Sequence, residues 1–457
     1  MLDTGGDRGF AGLGALLCRL PGAGGTVVKR CLVLGAGVSG RAAARLGVKL
    51  GWRVRVYDAR PEAISALNGG ERWSAVSGCW RPEWVADCDL VVASPGFPEG
   101  SEPIRDSLAA GRPVWSEVEL ACRQLRTEMI GITGTNGKTT VARLTGEMLA
   151  RSGMEVPVVG NIGSPISDLV GTDADRAVVE LSSFQLRFTE TLSPRVAVII
   201  NVAPDHLDWH GTMDRYLAAK ARIHAAQTEG DILIFDADDP GARRAVSGAR
   251  SRLLGVSAAG AVDGGDLMTG GLRIPLADLS ARDDSYLTDL LIAAEVARVW
   301  GADDAAVEAA IRSFRPGPHR RRVVGELDGV RFVDDSKATN PHAALASIHS
   351  FGSVVLIAGG LNKGLDLAPL TSAPPVRAVV SIGEASRQLV DAAPPGRVTP
   401  VDSLEEAVRT ASGLSRPGDV VLLAPGCASF DQFASYQARG EEFSLIVSDL
   451  VGRREKT

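Results

Sequence analysis

Short apolar segments rich in β-branched residues recur along the chain, and stretches rich in alanine and leucine separate them. The clearest are CLVLG (31–35), RVRVYD (53–58), LVVAS (90–94), AVVEL (177–181), VAVII (196–200), DILIF (231–235), VVLIA (354–358), AVVSI (378–382) and VVLLA (420–424). Continuous apolar strands alternating with helices are typical of parallel sheets that helices cover on both faces. The pattern therefore predicts α/β architecture throughout the chain.

Two seams divide this pattern into three units. One lies near RPVWSEVEL (112–120), and the other is RPGPHRRR (315–322), where proline and glycine end the preceding helix. We therefore expect a Rossmann-like domain at 28–116, a central P-loop-type ATPase domain at 117–317 and a second Rossmann-like domain at 318–457. Residues 1–27 combine frequent glycine with a short apolar patch, so we expect them to form a flexible extension.

The composition of the chain indicates which cellular compartment and which kinds of partner to expect. The chain has 457 residues, and its net charge of -6 gives no reason to expect a nucleic-acid partner. Its cysteines, at positions 18, 31, 79, 88, 122 and 427, form no C-x-x-C pair and are typical of buried thiols in a reducing compartment. No apolar run approaches the roughly 18 residues that span a bilayer. We expect a cytoplasmic protein without a membrane span.

The segment GITGTNGKTT (131–140) follows an apolar strand and precedes a helix-like stretch. A glycine-rich turn that opens a helix presents backbone N–H groups to an anion. Lys138 would reach the terminal phosphates of a nucleotide, and Thr139 would offer its hydroxyl to Mg²⁺. The strict signature G-x-x-x-x-G-K-[ST] is not met, because Ile132 stands five residues before Gly137. We expect nucleoside triphosphate binding, with a purely structural turn as the alternative.

Candidate metal ligands lie at predicted strand ends, where ligands gather in open parallel sheets. Glu180 ends one strand, and Asp205 and His206 follow another. Together with Thr139, Glu180 and His206 could hold Mg²⁺ between nucleotide phosphates, although Mg²⁺ prefers oxygen to imidazole nitrogen. The alternative for each is a strand-end cap or an ion pair. Lys220 lies in the helix-like YLAAKARIHAA, which by itself indicates a solvated surface charge.

The first unit carries a glycine pattern of its own. Gly35, Gly37 and Gly40 stand as G-x-G-x-x-G between a strand and a helix, and Asp58 ends the next strand. This is the pattern of a dinucleotide-binding fingerprint with its ribose-binding acid, so an NAD-dependent oxidoreductase is a serious alternative. The glycines could equally hold another nucleotide's diphosphate or only form a tight turn. A simple dehydrogenase would not carry the phosphate loop.

The third unit places polar loops after its strands, namely VDDSKATNP (333–341), AGGLNKGLDL (358–367) and APGCASFDQFASYQARGEEF (424–443). Arg320, Lys337 and Lys363 would bring positive charge to one rim, which suits an anionic substrate or the γ-phosphate of ATP. Ordinary loop polarity is the alternative, and it suffices to explain Arg439.

Together these motifs resemble those of the Mur ligase family. The resemblance covers nearly the whole chain after about residue 28 and rests on GTNGKTT (134–140), GNIGSP (160–165), ELSSFQL (180–186), NVAPDHLDWH (201–210), AAKARI (218–223), PHR (318–320), DDSKATNP (334–341) and APGCASFDQF (424–433). It implies an ATP-dependent amide-bond ligase of peptidoglycan precursor synthesis that works through an acyl phosphate. ELSSFQL and CASFDQF resemble the members that add D-glutamate to UDP-N-acetylmuramoyl-L-alanine. We expect a monomer.

The resemblance also implies roles for single residues. The UDP-linked substrate would contact Val38, Ser39, Arg60, Asn161 and His206. ATP would contact Gly134, Thr135, Asn136, Gly137, Lys138, Thr139, Thr140, Arg320 and Asp335. The incoming amino acid would contact Lys337, Thr339, Lys363, Ser429 and Tyr436. Catalysis would depend on Lys138, Glu180, His206 and Lys220. Two Mg²⁺ ions would be held by Thr139, Glu180, His206 and Lys220, the last matching a family lysine that CO₂ carbamylates.

Two positions depart from the family pattern. Asp289 stands where an asparagine that contacts adenine is expected, and Tyr436 stands where the family often has phenylalanine.

Another Mur-type ligase or a folylpolyglutamate-type ligase is the nearest alternative function. A non-catalytic nucleotide-binding regulator is disfavoured because the whole catalytic set is present. An acyl phosphate must be kept from water, so we also expect the third domain to close over ATP.

Overall fold

The structure is a computed structural model that describes residues 28–65, 67 and 73–454. The expected extension at 1–27 lies outside these residues. Three large sheets with flanking helices follow one another along the chain, which confirms the predicted α/β architecture in three units. In the described part of the chain, no helix is both long and apolar enough to cross a membrane.

The first unit is a parallel α/β sheet. Its elements are β1 (Arg30–Leu34), α1 (Val38–Lys49), β2 (Arg53–Asp58), α2 (Pro61–Ser65), β3 (Trp73–Ser77), α3 (Glu83–Ala86), β4 (Leu90–Ala93), α4 (Glu102–Ala109) and β5 (Val114–Trp115). The strand order is β3-β2-β1-β4-β5, and all pairs are parallel. The glycine pattern forms the turn from β1 into α1, at the carboxyl end of the central strand.

The central unit begins with α5 (Glu117–Cys122), whose N-cap Ser116 accepts a hydrogen bond from Glu119 N. Its large sheet and helices are β6 (Glu128–Thr133), α6 (Lys138–Arg151), β7 (Val158–Gly160), β8 (Arg176–Glu180), α7 (Ser183–Arg187), β9 (Val196–Ile199), α8 (Leu207–His210), α9 (Met213–Ala221), β10 (Ile232–Asp236), α10 (Pro240–Ala245) and β11 (Arg252–Val256). The parallel order β11-β10-β9-β6-β8-β7 places β6 between β9 and β8. The turn after β6 therefore lies beside the ends of both neighbours.

The central unit also contains elements that the apolar pattern did not predict. Strands β12 (Val262–Asp263), β13 (Asp266–Thr269) and β14 (Leu272–Pro275) form a small antiparallel sheet. Helices α11 (Asp284–Val299) and α12 (Asp304–Ser313) complete the unit, and α11 packs on α6. Short 3₁₀ helices cover Ile166–Leu169, Arg222–His224 and Leu276–Asp278. The apolar pattern of the sequence therefore left 262–275 unassigned.

The third unit is a mixed sheet. Its elements are β15 (Arg322–Leu327), β16 (Val330–Asp334), α13 (Pro341–His349), β17 (Val354–Gly359), α14 (Ala368–Ser372), β18 (Val376–Ile382), α15 (Ser386–Asp391), β19 (Val398–Pro400), α16 (Leu404–Leu414), β20 (Val420–Gly426) and α17 (Tyr436–Arg454). The order is β15-β16-β20-β17-β18-β19, with only the β15–β16 pair antiparallel among these neighbours. Asp328 and Gly329 join that hairpin with φ of 50° and 74°, as a type I′ turn requires.

The units differ in how they pack on each other. One apolar cluster runs from the first sheet through Val118 and Leu120 of α5 to Ile166 and Ala177 of the central unit. The third unit has apolar clusters of its own on the two faces of its sheet.

Of the described cysteines, Cys31, Cys88 and Cys427 are buried and Cys122 is half-buried, but Cys79 is exposed, which corrects the expectation of buried thiols throughout.

Candidate active site

The turn between β6 and α6 is a close-fitting phosphate loop. Gly137 has φ of 83°, and a Cβ there would lie 2.3 Å from Asp289 Oδ1. A Cβ at Gly134 would lie 3.0 Å from Cβ of Ile200. Glycine is therefore required at Gly137 by both conformation and space, while Gly134 lets the loop backbone lie against the end of β9.

The loop is held in place by the segment that follows β9. Asn201 Oδ1 accepts hydrogen bonds from Thr135 N at 3.1 Å and Asn136 N at 2.8 Å. The Thr135 hydroxyl lies 3.0 Å from the Tyr216 hydroxyl and 3.1 Å from Ala203 O. The N–H groups of the first turn of α6, which have no intrahelical acceptor, are then the donors left for an anion.

Lys138 lies over this loop as a half-buried cation. Its Nζ donates to Gly134 O and Thr135 O, both at 2.9 Å. Burial lowers the pKa of Lys138, and the carboxylates of Glu180 and Asp205 oppose that shift. The side chain is thus positioned at the anion-binding turn, with its charge stabilised chiefly by carbonyl oxygens.

Thr139 in the first turn of α6 and Glu180 at the end of β8 form an oxygen pair. Thr139 Oγ1 donates to Glu180 Oε2 at 3.0 Å, and Asn161 Nδ2 donates to Glu180 Oε1 at 2.9 Å. Glu180 is 1% exposed. A hydroxyl and a carboxylate are the hard ligands that Mg²⁺ prefers, so these two residues fit such an ion.

The rest of a metal-ligand set is not preassembled. Within the described ranges, no group of three or more His, Cys, Asp or Glu side chains is arranged to hold a metal ion. His206 Nε2 lies 3.5 Å from Asp205 Oδ2, and its ring packs edge-on against Phe184. An additional oxygen ligand would therefore have to come from a substrate, from water or from a modified Lys220.

Lys220 on α9 is buried beneath the phosphate loop, so the interpretation as a surface charge is wrong. It is 1% exposed, and its Nζ donates to Gly134 O at 2.6 Å. The Nζ also lies 4.6 Å from the centre of the Tyr216 ring. Burial, and then the charge of Lys138, hold the pKa of Lys220 well below its usual value. This amine is therefore predisposed to be uncharged and nucleophilic.

His206 is also held in an unusual state. It caps α8 with φ of 53°, a left-handed conformation that non-glycine residues rarely adopt. Burial lowers the pKa of His206 to about 3, against the opposing charge of Asp205. The imidazole is accordingly neutral near pH 7 and can act as a hydrogen-bonding group or a ligand rather than as a cation.

A chain of polar side chains joins the third unit to the phosphate loop. Asp205 accepts hydrogen bonds from Lys363 Nζ at 2.8 Å and Asn340 Nδ2 at 2.9 Å. The amides of Asn340 and Asn136 lie within 3.2–3.3 Å of each other, and Asn136 Nδ2 lies 3.0 Å from His342 Nδ1. Sequence reasoning assigned no role to Asp205, Asn340 or His342 in such a contact, because only docking of the units brings them together.

A cavity of about 880 Å³ opens between the central and third units. Its lining includes Asn136, Gly137, Arg320 and Asp335, which were predicted to bind ATP, together with Lys337. Burial raises the pKa of Asp335 to about 6. The volume is in the range of nucleotide and cofactor sites. The structure thus brings residues from two sequence-distant motifs to one cleft beside the phosphate loop.

Arg321 is a charged residue of this cleft that sequence reasoning did not single out. It pairs with Asp283 at 2.5 Å, lies 3.9 Å from Asp335 and sits 4.7 Å from the centre of the Tyr286 ring. The only indication of such a role in the sequence is its place in the RRR run of RPGPHRRR.

The predicted amino-acid-binding residues fall into two neighbouring groups. Lys337 Nζ lies 5.4 Å from the centre of the Tyr436 ring, and Thr339 N donates to Lys337 O at 2.9 Å. Burial, and then Arg320, lower the pKa of Lys337 to about 8. Lys363 and Ser429 lie on two other loops, which Leu361 and Ala428 join by a backbone bridge. In this structure Lys363 is paired with Asp205.

The residues predicted for the UDP-linked substrate lie partly in the first unit. Val38 is 71% exposed, Ser39 is half-buried and Arg60 is exposed, all near the glycine turn. Asp58 accepts from Ala36 N at 3.0 Å and pairs with Arg60 at 3.2 Å. The acid that would bind the ribose of NAD is therefore already engaged by the protein, which weakens the oxidoreductase interpretation. Asn161 and His206 lie instead in the central unit.

Asp289, the departure from the expected asparagine, is a buried carboxyl group beside the loop. It lies on α11, is 6% exposed and accepts a hydrogen bond from the Thr140 hydroxyl. Burial raises the pKa of Asp289 to about 7, although Arg320 opposes the shift. Near neutral pH this group therefore titrates close to the nucleotide cleft.

Asp289→Asn changes the free energy of unfolding by an amount that depends on pH. We expect this change to favour the variant by about 2 kcal/mol more at pH 8 than at pH 5. A carboxyl whose folded-state pKa is raised binds its proton more tightly when folded, so its contribution to stability falls as pH rises from about 4 to 7. The amide does not ionise. Urea unfolding of both proteins at the two pH values measures the difference, and parallel pH profiles would contradict it.

Three family descriptions match successive parts of this chain. "Mur ligase MurD-like, N-terminal domain" matches residues 29–116, "Mur ligase middle domain" matches 132–270, and "Mur ligase, glutamate ligase domain" matches 319–427. A curated UDP-N-acetylmuramoylalanine–D-glutamate ligase of Frankia casuarinae is 42% identical over 442 residues, covering 91% of this chain and 93% of the relative. The ligase of the same name from Pelotomaculum thermopropionicum is 38% identical over 447 residues, covering 92% and 98%.

Solved structures share the fold. A MurF ligase from Thermotoga maritima in complex with ADP superposes with a TM-score of 0.57 at 18% identity, covering 94% of this chain and 96% of that one. A UDP-N-acetylmuramate-alanine ligase from the same organism gives a TM-score of 0.55 at 18% identity, covering 92% and 100%. These likenesses concern the three-unit architecture.

Proposed function

The chain belongs to the Mur ligase family as an ATP-dependent ligase of peptidoglycan synthesis, and we propose that it joins D-glutamate to UDP-N-acetylmuramoyl-L-alanine. The observation that carries the proposal is the phosphate loop with half-buried Lys138 beside the Thr139–Glu180 pair. The relatives named for this reaction match nearly the full length of the chain, which supports the choice of substrates.

The first chemical step transfers a phosphoryl group. The alanine carboxylate of the UDP-linked substrate attacks the γ-phosphorus of ATP, an O–P bond forms, and the bond to the β,γ-bridging oxygen breaks to release ADP. Lys138 and the N–H groups of α6 stabilise the negative charge that spreads over the phosphoryl oxygens. Mg²⁺, held by Thr139, Glu180, His206 and a carbamylated Lys220 in a two-ion site, would neutralise the repulsion between the two anions.

The second step forms the amide bond. The uncharged amine of glutamate attacks the acyl carbon of the acyl phosphate, and a C–N bond forms. The bond from the acyl carbon to the phosphate oxygen breaks, and inorganic phosphate leaves with the proton that the amine nitrogen loses. Lys337, Thr339, Lys363, Ser429 and Tyr436 would hold the two carboxylates of glutamate at the rim of the third unit. Positioning three substrates in attack geometry can contribute roughly 7–11 kcal/mol to such a reaction.

The remaining assignments follow the three units. We propose domains at 28–116, 117–317 and 318–457, which bind the UDP-linked substrate, ATP and the amino acid respectively. Val38, Ser39 and Arg60 would contact the uridine diphosphate, while Asn161 and His206 would contact the muramoyl-alanine end, close to Glu180. We also propose that the protein acts as a cytoplasmic monomer.

The decisive experiment measures ADP release by the purified full chain with ATP, Mg²⁺ and UDP-N-acetylmuramoyl-L-alanine. We expect release to depend on D-glutamate and to be far slower with L-glutamate or with other amino acids. No release of phosphate and no new amide product would overturn the proposed function. Equal rates with another amino acid or with a folate acceptor would favour the folylpolyglutamate-type or another Mur-type ligase.

Domain closure gives a separate prediction. Asp205→Asn keeps the size of the side chain but removes the partner charge of Lys363, so the third unit should dock less tightly on the phosphate loop. We expect a larger radius of gyration in X-ray scattering and a KM for glutamate raised about tenfold. Asp208→Asn, an exposed neighbour, is the control. An unchanged scattering profile with unchanged KM would contradict the docking role.

A further inference from the structure

Arg439 is a fully buried arginine at the start of α17. It is 0% exposed and has the largest side chain among the fully buried residues of the described chain. Within the described ranges, no carboxylate oxygen lies within 4.0 Å of its guanidinium, which is the limit for an ion pair. Buried charges are ordinarily paired, because removing an unpaired charge from water is costly. Arg439 is therefore not an ordinary polar residue of a loop, and the interpretation of it as one, made from the sequence, was wrong.

The guanidinium is held by oxygens from two loops. Its Nε donates to Ser336 Oγ at 3.0 Å, and its Nη2 donates to Ser336 O at 3.0 Å and to Cys427 O at 3.3 Å. The buried Nη1 has no hydrogen-bond partner in the part of the chain that the structure describes. A Cβ on Gly360 would lie 3.3 Å from Nη1, so this nitrogen faces a third loop.

These three loops follow adjacent strands. The order β16-β20-β17 places Ser336, Cys427 and Gly360 side by side at the carboxyl edge of the sheet. The same loops carry the residues proposed to hold the amino acid, namely Lys337 and Thr339 on the first, Ser429 on the second and Lys363 on the third. The Arg439 side chain therefore contacts the backbone of the first two loops and borders the third.

Among the described residues no carboxylate pairs directly with Arg439, although the charges of Asp431 and Asp334 act on its guanidinium from beyond ion-pair distance. Asp334 is engaged with His319 Nδ1 at 2.7 Å, and Asp431 accepts from Glu384 N at 3.0 Å. Burial lowers the pKa of Arg439 to about 10, which leaves the guanidinium protonated at neutral pH. In a poorly hydrated interior, a positive charge acts over longer distances than it would at the surface. An anion arriving at the rim would be stabilised by this charge.

We propose that Arg439 is a positioning residue of the amino-acid site, which fixes the loops of Ser336 and Cys427 and supplies a buried positive charge that favours an amino acid with two carboxylates. The inference deepens the proposed function and rests on it. A merely structural arginine would affect all substrates through stability, whereas a positioning arginine should act on the amino acid selectively.

The test compares Arg439→Met, Arg439→Lys and Ser336→Ala in the full-length enzyme. KM for glutamate, KM for ATP, KM for the UDP-linked substrate, kcat and Tm are measured for each. We expect Arg439→Met to raise KM for glutamate at least tenfold with the other two KM values within twofold. Arg439→Lys, which keeps the charge, should give a smaller rise, and Ser336→Ala, which removes one tether, should do the same.

Arg377→Met is the matched control, because Arg377 lies in the same unit but pairs with Asp419 at 2.8 Å, away from the three loops. It should leave all three KM values unchanged. The inference is overturned if KM for glutamate is unchanged in all three test variants, or if all KM values and kcat change together with Tm. If the wild-type enzyme is active with D-glutamate, such a result overturns only the role of Arg439. If the wild-type enzyme is inactive with D-glutamate, the proposed function itself fails.

Discussion

Replacing Lys138 with alanine is expected to lower ATP-dependent ADP release by about 10³-fold. The Lys138 ammonium lies half-buried at the phosphate loop with Gly134 O and Thr135 O as its hydrogen-bond acceptors. When phosphates occupy the loop, the ammonium is the side-chain cation placed to stabilise the charge of the transferring phosphoryl group. In such a site a charge that is already oriented needs no reorganisation during the reaction, so its removal acts mainly on kcat.

Two measurements separate a loss of chemistry from a loss of structure. The variant should still bind the UDP-linked substrate in calorimetry and should retain a cooperative unfolding transition. Lys49→Ala is a suitable control, since Lys49 donates to Val170 O far from the phosphate loop. Near-normal ADP release by Lys138→Ala would remove the phosphate loop from the proposed mechanism.

Replacing Lys220 with alanine is expected to abolish most activity, which added small carboxylates should partly restore. The depressed pKa of Lys220 favours the uncharged amine, which in the proposed modification attacks CO₂ to form a carbamate with release of one proton. The reaction converts a buried cation into an anion with two oxygens, at a position beside Gly134 that a hard metal ion could use. A carboxylate that diffuses into the vacated space would supply the same oxygens.

The rescue is the diagnostic part of this prediction. Acetate or formate should raise the rate of Lys220→Ala in a saturable way and leave wild type unaffected. Lys220→Met fills the same space without an amine, so it should be inactive and should respond to acetate less. Ordinary turnover by Lys220→Ala, or equal effects of acetate on wild type and variant, would contradict the carbamate.

The fold was largely predictable because its central strands are continuous apolar runs. All nine predicted runs coincide with strands of the three large sheets. The strands that were missed are short or half-exposed, such as β7 at Val158–Gly160 and β11 at Arg252–Val256. The antiparallel β12–β14 sheet was missed because its segments are two to four residues long and owe their pairing to turns rather than to apolar content.

The site was predictable where its chemistry is local in sequence. The glycines, Lys138 and Thr139 of the phosphate loop lie within six residues, and their spacing indicates the turn. The burial of Lys220 was not predictable from its helix, because a helical lysine can point to either face. Two partners of Asp205, Asn340 and Lys363, are more than 130 positions away in sequence, and docking of two units brings them to it.

The hairpin of β15 and β16 has a consequence for the independence of the third unit. Its tight Asp328–Gly329 turn lets the first two strands of that sheet pair locally, and the remaining strands all follow in the same stretch of chain. Among the described residues, every strand of this sheet lies between Arg322 and Gly426. Within the described chain, a cut just before β15 would therefore leave every sheet on either side with its full set of strands.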